Sequence, residues 1–294
     1  MRIGVSVRRI LRNGGSAGLN ETAEMTSRRP VRGARPIAGI GRVLLWPGAS
    51  LWIGRQAGPV EPHAHHALQI SLALTGRVRL CSDPPGDWAE HAGVLVRPHQ
   101  RHAFDGNGEA VAQLFVEPET VLGRALLERH GDPLTHLADV DAATMAAPLA
   151  AAYGQGASDG ALVAAARLAL ARLAGELPAT PPIDPRIARA IAHVRERLAE
   201  PVSLAEAAAS AHLSPSRFRH LFAEQTGMAF RPYLLWARVG AAVEAAMRGG
   251  SWTEAAQAWG FADSAHLTRT CRRMFGIAPT MLAAARSTAR WTAE

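Results

Sequence analysis

The chain has 294 residues, of which 48% are hydrophobic, and it carries a formal net charge of +7. That length suits two domains of ordinary size, and the apolar content excludes a chain that is disordered throughout. Because no apolar run is long enough to span a membrane and only two cysteines are present, we expect no membrane association, no disulfide framework and a location in the reducing cytoplasm.

The charges are unevenly distributed along the chain. Arginine exceeds Asp and Glu in residues 1–42 and again in 184–294, whereas acidic residues are in excess in 43–183. A basic segment suits a polyanion because phosphate contacts release counterions. Solvated helix faces explain the same arginines, so charge alone leaves both interpretations open.

The first half of the chain predicts a leader followed by a strand-rich domain. Residues 1–35 mix Gly, Ser, Asn, Thr and Arg without period, which indicates a disordered basic leader, with Met1 or Met25 as the start. From residue 36, short apolar stretches such as Leu68 to Leu74 alternate with Pro and Gly turns. This spacing is typical of a small β-barrel or sandwich.

A helical pattern then closes the first domain. Val121 to His130 is one predicted helix, and Asp159 to Leu177 is a second with an apolar stripe. That stripe either packs on the barrel or forms a dimer contact. Four prolines in 178–185 predict a stiff linker, so the first domain covers 36–177 and the second 186–286.

The second domain contains a duplicated segment. Ser203 to Gly227 and Ser251 to Gly276 each begin with Ser followed three residues later by Glu, which is a capping box, and each ends in glycine. A helix, a turn and a second helix are predicted in each copy. Two such units suggest two helix-turn-helix units that bind one DNA duplex. A purely structural helical bundle is the alternative.

The second helix of each copy carries the residues that we expect to contact DNA. Arg219 and Arg269 are the best candidates for base recognition, because arginine is the usual bidentate reader of guanine. The predicted DNA-binding residues are Ser216, Arg217, Arg219, His220, Ser264, Ala265, His266, Arg269 and Arg272.

The second domain resembles the DNA-binding domain of the AraC/XylS family of bacterial transcription regulators over residues 184–285. The motifs are LSPSRFRHLFAEQTGMAFRPYL and AWGFADSAHLTRTCRRMFGIAP. The resemblance implies base-facing positions early on each recognition helix, activation by contact with RNA polymerase, and a place at the bacterial nucleoid. Cys271 and Leu267 replace usual aromatic residues of the family, which implies a smaller core in the second copy.

A histidine motif in the first domain resembles cupin barrels. Residues 58–76, GPVEPHAHHALQISLALTG, resemble the first cupin motif, with His63 and His65 as ligands and Gln69 in place of the usual acid. His102 would come from a second motif, GVLVRPHQRH, that is one residue short. Three histidines could bind iron, zinc or nickel, but structural or pocket-lining roles explain them too. Gln69 and His102 are also the candidate ligand-pocket residues.

The sequence therefore predicts an α+β two-domain protein, with an N-terminal cupin-like β-barrel flanked by helices and a C-terminal all-α domain with two helix-turn-helix units. We expect a sequence-specific transcriptional regulator, not an enzyme. It would bind promoter DNA, respond to a small-molecule effector and be able to form homodimers. No cofactor is expected apart from a divalent metal in the barrel. The alternative is a metal-dependent cupin enzyme with an accessory DNA-binding domain.

Overall fold

A computed structural model describes residues 37–175 and 183–282 of the protein, and these belong to one compact unit. The leader predicted at 1–35 and most of the linker predicted at 178–185 lie outside the described residues. The end of that linker is described, and Pro185 is already the first residue of a helix. The described residues form a strand-rich domain (37–174) and a helical domain (185–282).

The strand-rich domain consists of two antiparallel sheets in the described part of the chain. One sheet has the strand order β1-β2-β8-β3-β6-β9 and the other the order β5-β4-β7. The first eight strands lie within the region that the sequence predicted to be strand-rich, and the ninth lies beyond it. The strands are β1 (Ile37–Trp46), β2 (Ala49–Ala57), β3 (Leu68–Ala73), β4 (Val78–Ser82), β5 (Trp88–His91), β6 (Gly93–Val96), β7 (His102–Asp105), β8 (Ala110–Val116) and β9 (Leu134–His136).

Three helices follow β8, with β9 between the first and the second, and they pack against the larger sheet. They are α1 (Val121–Arg129), α2 (Asp139–Gly154) and α3 (Asp159–Ala174). The apolar stripe of α3 is buried in one core with the strands, so packing explains it. The helix ends at Ala174 rather than at Leu177, because Gly175 adopts a left-handed φ of 70°.

The helical domain contains six α-helices and one 3₁₀ turn within its described residues. They are α4 (Pro185–Glu196), α5 (Leu204–Ser210), α6 (Pro215–Thr226), α7 (Phe230–Met247), α8 (Trp252–Ala258), α9 (Ser264–Phe275) and the turn Pro279–Leu282. Helices α5 and α6 form the first helix pair, and α8 and α9 form the second. None of the described helices is long and apolar enough to cross a membrane.

The two helix pairs start in the same way, as the duplication predicted. The Ser203 hydroxyl accepts a hydrogen bond of 3.1 Å from the Glu206 N–H, and the Glu206 carboxylate accepts one of 2.7 Å from the Ser203 N–H. Ser251 and Glu254 repeat this box at 3.1 and 3.0 Å. Such reciprocal caps satisfy helix-end donors and fix where α5 and α8 begin.

The two helix pairs differ in what completes their cores. The first pair has its own core, in which Phe218 and Phe222 pack on Phe230 of α7. The second pair shares a core with the strand-rich domain: Leu267 and Cys271 belong to one buried cluster with strand residues. The replacement of usual aromatic residues by Leu267 and Cys271 implied a smaller second core. That core is not simply smaller, because the strands supply part of it.

Candidate functional site

The first candidate recognition helix, α6, presents its predicted DNA-binding residues to solvent. Its start is fixed by the Ser214 hydroxyl, which accepts a hydrogen bond of 3.3 Å from the Arg217 N–H, and by Pro215 at the first helical position. Phe218 is fully buried on the opposite face. The exposed residues include all four that the sequence singled out: Ser216, Arg217, Arg219 and His220.

The second candidate helix, α9, exposes Ala265, Arg269 and Arg272, whereas Ser264 and His266 are half-buried. The His266 ring lies 5.3 Å from the ring of Phe261, and its Nδ1 is 3.5 Å from the backbone N–H nitrogen of Ala262. His266 thus packs against the preceding turn. In the described part of the chain, no ion pair involves the arginines of α6 or α9, so their charge faces solvent.

The three predicted histidine ligands converge inside the strand-rich domain. His63 and His65 lie two residues apart in the extended segment before β3, so they point the same way. His102 begins β7, and backbone hydrogen bonds of 2.9 Å in both directions pair it with His63. One nitrogen atom from each ring lies within 4.8 Å of the others, and all three residues are buried.

Backbone carbonyls orient the three rings. The Nδ1 atoms of His63, His65 and His102 lie 2.8, 2.9 and 3.0 Å from the carbonyl oxygens of Glu61, Ala67 and Gln100, respectively. Because a carbonyl oxygen only accepts, each Nδ1 carries the proton and donates it. The Nε2 lone pair of each ring is then available to a partner.

Burial keeps these rings neutral. Burial, followed by the neighbouring rings, lowers the pKa of His63 to about 2 and that of His65 to about 3. Burial also lowers the pKa of His102. Neutral imidazole is the form that binds metal ions.

Gln69 stands where a cupin motif would have its acid, and it contacts two of the rings. Its Oε1 lies 2.9 Å from His65 Nε2 and 3.2 Å from His102 Nε2, and its Nε2 donates to the Ser71 hydroxyl at 3.0 Å. The predicted pocket is only partly matched. Gln69 and His63 line a cavity of about 70 Å³ together with other residues of the strand-rich domain and with Phe275 and Ile277 of the helical domain, whereas His102 is fully buried and does not line it.

The end of α9 closes over the histidine cluster. The Phe275 ring stacks on Trp52 at 5.3 Å and lies 6.3 Å from the His65 ring. The Gly276 carbonyl accepts a hydrogen bond of 3.0 Å from the Glu61 N–H. The cluster therefore touches the helix that carries Arg269.

A buried polar network, which sequence reasoning missed, joins the two domains near α1. The Glu119 carboxylate lies 3.0 Å from His66 Nε2 and accepts a 2.9 Å hydrogen bond from the Tyr233 hydroxyl of α7. Arg195 of α4 forms an ion pair with Glu117 and lies 3.8 Å from Glu119. Burial is the largest single influence on Glu119 and by itself would raise its pKa. The hydrogen bond and electrostatic attraction to His66, together with the hydrogen bond from Tyr233, outweigh burial and hold that pKa below its usual value.

A larger cavity of about 360 Å³ lies between the strand-rich and helical domains. Two buried indole N–H groups at its border, those of Trp52 and Trp259, have no hydrogen-bond partner among the described residues. The aromatic residues that line this cavity are Trp46, Trp52, Phe115, Trp236, Trp259 and Phe275.

Sequence comparison identifies the helical domain. Residues 207–285 match a family described as "Helix-turn-helix domain". The C-terminal domain is an AraC-type helix-turn-helix domain. The chain that carries it is a DNA-binding transcriptional regulator. No curated protein sequence matches the chain.

Comparison with solved structures shows what the fold of the chain is similar to. ToxT from Vibrio cholerae O395 aligns with a TM-score of 0.52 at 12% identity, over 80% of this chain and 98% of ToxT. An apo ToxT variant from Vibrio cholerae strain SCE256 gives 0.53 at 12% identity, over 79% and 94%. A regulator with an AraC-type DNA-binding domain from Chromobacterium violaceum is 25% identical over 33% of this chain and 87% of its own, with a TM-score of 0.32. The chain therefore resembles ToxT in fold, with a strand-rich N-terminal domain and a helical C-terminal domain.

Proposed function

We propose that this regulator reads promoter DNA with both helix pairs as helix-turn-helix units, and that its strand-rich domain is a cupin-like sensor without enzymatic activity. The observation that carries the proposal is the exposure of arginines on α6 and α9, two helices with side-chain caps at their N-termini. A major groove admits one helix, and residues of its first turns reach base edges.

Each unit is assigned a distinct set of contacts. Arg219 and Arg269 read guanine, since the guanidinium donates two hydrogen bonds to its major-groove edge. Arg217 and Arg272 contact phosphates, and so do backbone N–H groups at the helix starts. Helix α7 connects the units, which would then enter successive major-groove segments about 34 Å apart. Ser216, His220, Ser264, Ala265 and His266 complete the proposed surface.

The cavity between the domains suits a small effector. An occupant would touch both domains at once and so shift the equilibrium between their arrangements. Its aromatic lining favours a flat apolar molecule. A ToxT structure is described as bound to (E)-4-(8-methylnaphthalen-1-yl)but-3-enoic acid, which combines a flat ring system with a carboxylate.

The enzyme alternative is less well supported by the same cluster. His63, His65 and His102 are at most 5% exposed, so the end of α9 would have to move before a substrate could reach them. Gln69 also replaces the acid of a catalytic cupin site. We propose instead that the regulator works at the bacterial nucleoid as a homodimer that contacts RNA polymerase, as the family resemblance implies.

Selection of bound fragments from a random DNA pool tests the proposal. The full chain should enrich one bipartite sequence, and replacing both Arg219 and Arg269 by Ala should abolish the preference. The double variant Arg186→Ala and Arg197→Ala is the matched control, because it removes the same two charges from the same domain. These two arginines are paired with Asp184 and Glu200. Unchanged enrichment by the variant at Arg219 and Arg269 would overturn the assignment of α6 and α9.

A further inference from the structure

We propose that His63, His65 and His102 bind one divalent transition-metal ion, with the Gln69 side-chain oxygen as fourth ligand, and that this ion controls DNA binding through the end of α9. The proposal has two halves. The binding half, that the cluster binds a metal ion, rests on the geometry of the cluster. The control half, that the ion controls DNA binding, also rests on the function proposed above.

The orientation of the rings fits a metal centre. Each Nδ1–H is held by a backbone carbonyl, which is the outer contact that usually fixes a metal-bound histidine and leaves Nε2 as the ligand atom. Zinc–nitrogen bonds of about 2.1 Å imply nitrogen–nitrogen separations of about 3.4 Å. The ligand atoms of the cluster already lie within 4.8 Å of one another, so each pair has to close by no more than about 1.5 Å, through side-chain rotation.

The Gln69 amide has two useful orientations. In the first, its Oε1 faces His65 and His102 and can bind a metal ion. Both rings already donate from Nδ1 and, being neutral, have no second proton for that oxygen. In the second, the amide is turned over, its NH₂ group donates to both Nε2 atoms, and Oε1 accepts from the Ser71 hydroxyl. A metal ion would then select the first orientation and a metal-free cluster the second.

The donor set indicates the class of metal. Three imidazoles and an amide oxygen favour zinc, nickel, cobalt or ferrous iron over magnesium or calcium, which prefer carboxylates. The absence of a carboxylate from this donor set leaves the charge of the ion uncompensated. Gln69→Glu would supply the missing negative charge at almost the same volume and should tighten binding.

The cluster is connected to α9 by a short path. The Glu61 carbonyl holds the His63 ring, and the Glu61 N–H donates to the Gly276 carbonyl at the end of α9. A Cβ atom on Gly276 would lie 2.7 Å from His63 Nδ1. A metal ion that draws His63 inward therefore pulls on the segment against which α9 ends.

Metal titration of the full, tag-free chain after treatment with a chelator tests the binding half. Cobalt(II) is the probe, because nitrogen ligation gives it visible absorption bands whose intensity reports coordination. We expect one equivalent to bind, affinity to fall at least tenfold in His65→Ala and to rise at least tenfold in Gln69→Glu. His136→Ala is the matched control, because it disrupts the other close histidine pair, His91 and His136, and should change nothing.

Several results would overturn this half. They are the absence of stoichiometric binding, equal losses in His65→Ala and His136→Ala, or no gain in Gln69→Glu. The last comparison does not depend on whether the alanine variant folds.

The control half is tested by DNA binding with and without zinc(II), on the fragment selected as above. A change of at least fivefold in the dissociation constant, lost in His65→Ala but kept in His136→Ala, supports control by metal. Equal affinities with and without zinc overturn it. A chain that binds one cobalt ion but no DNA under either condition would overturn the proposed function and the control half, while supporting the metal site.

Discussion

The backbone carbonyl of Gly276 accepts a 3.0 Å hydrogen bond from the backbone N–H of Glu61, and this bond joins the end of α9 to the histidine segment. Gly276 adopts a left-handed φ of 69°, which a residue with a side chain rarely adopts. A Cβ atom there would overlap the Glu61 carbonyl oxygen. Only glycine can therefore both end α9 and let the two domains approach this closely.

Gly276→Ala should destabilise the chain more than the equivalent change in the first helix pair. Gly227 ends α6 with a similar φ of 72°, but a Cβ atom there would meet nothing within 4 Å. Gly227→Ala should therefore cost about 1 kcal/mol, for the left-handed backbone alone. Gly276→Ala should cost at least about 2 kcal/mol, since the backbone must also move. Urea unfolding of both variants measures the difference, and equal losses would show that the contact between Gly276 and Glu61 contributes nothing.

Features set by local chemistry were predictable from the sequence. The capping boxes at Ser203 and Ser251 follow from side chains three residues from each cap. Seven of the nine predicted DNA-binding residues are exposed on α6 and α9. The other two, Ser264 and His266, are half-buried. The convergence of His63 and His65 follows from the alternation of side chains in an extended segment.

Features that depend on distant partners were not predictable. Helix α2 was missed because its buried stripe, Ala142, Met145, Ala146 and Leu149, does not stand out from the alanines on its exposed faces. Phe275 lies in the helical domain, yet it stacks on Trp52, because the strand-rich domain completes the core of the second helix pair. Arg195 and Glu117 are of residue types that usually lie on the surface. They form an ion pair because the two domains pack against each other.

The cavity between the domains can be filled at Gly240, which lines it from α7. A Cβ atom at Gly240 would meet nothing within 4 Å, so Gly240→Ala should stabilise the helix by up to about 1 kcal/mol and leave the cavity open. Gly240→Leu should keep the fold and occupy the space that an effector needs. Thermal shifts with a panel of flat aromatic acids should appear for the wild type and Gly240→Ala and vanish for Gly240→Leu. Undiminished shifts in Gly240→Leu would place effector binding elsewhere.

The hydrogen bond from Tyr233 to Glu119 should contribute measurably to the contact between the domains. Its acceptor is a buried, ionised carboxylate, and such bonds contribute about 1.5–3 kcal/mol. Tyr233→Phe removes the donor while keeping the ring among the aromatic residues of the first core. A double-mutant cycle with Glu119→Ala, which removes the acceptor, should give a coupling of about 1 kcal/mol or more when it is measured by urea unfolding. Additive losses would show that the bond is not formed in solution.

The two recognition helices should contribute unequally to DNA binding. On α6, Arg219 lies beside exposed Arg217 and His220. On α9, small residues precede Arg269, and His266 packs against the turn before the helix. Arg219→Ala should therefore cost more specific binding energy than Arg269→Ala, within a range of about 1–3 kcal/mol, and should relax preference at one base. Arg272→Ala should weaken binding to all sequences alike and reduce the salt dependence by about one phosphate contact. Titrations on the selected DNA at several salt concentrations separate these effects, and equal losses for Arg219 and Arg269 would contradict the asymmetry while leaving the two-unit arrangement in place.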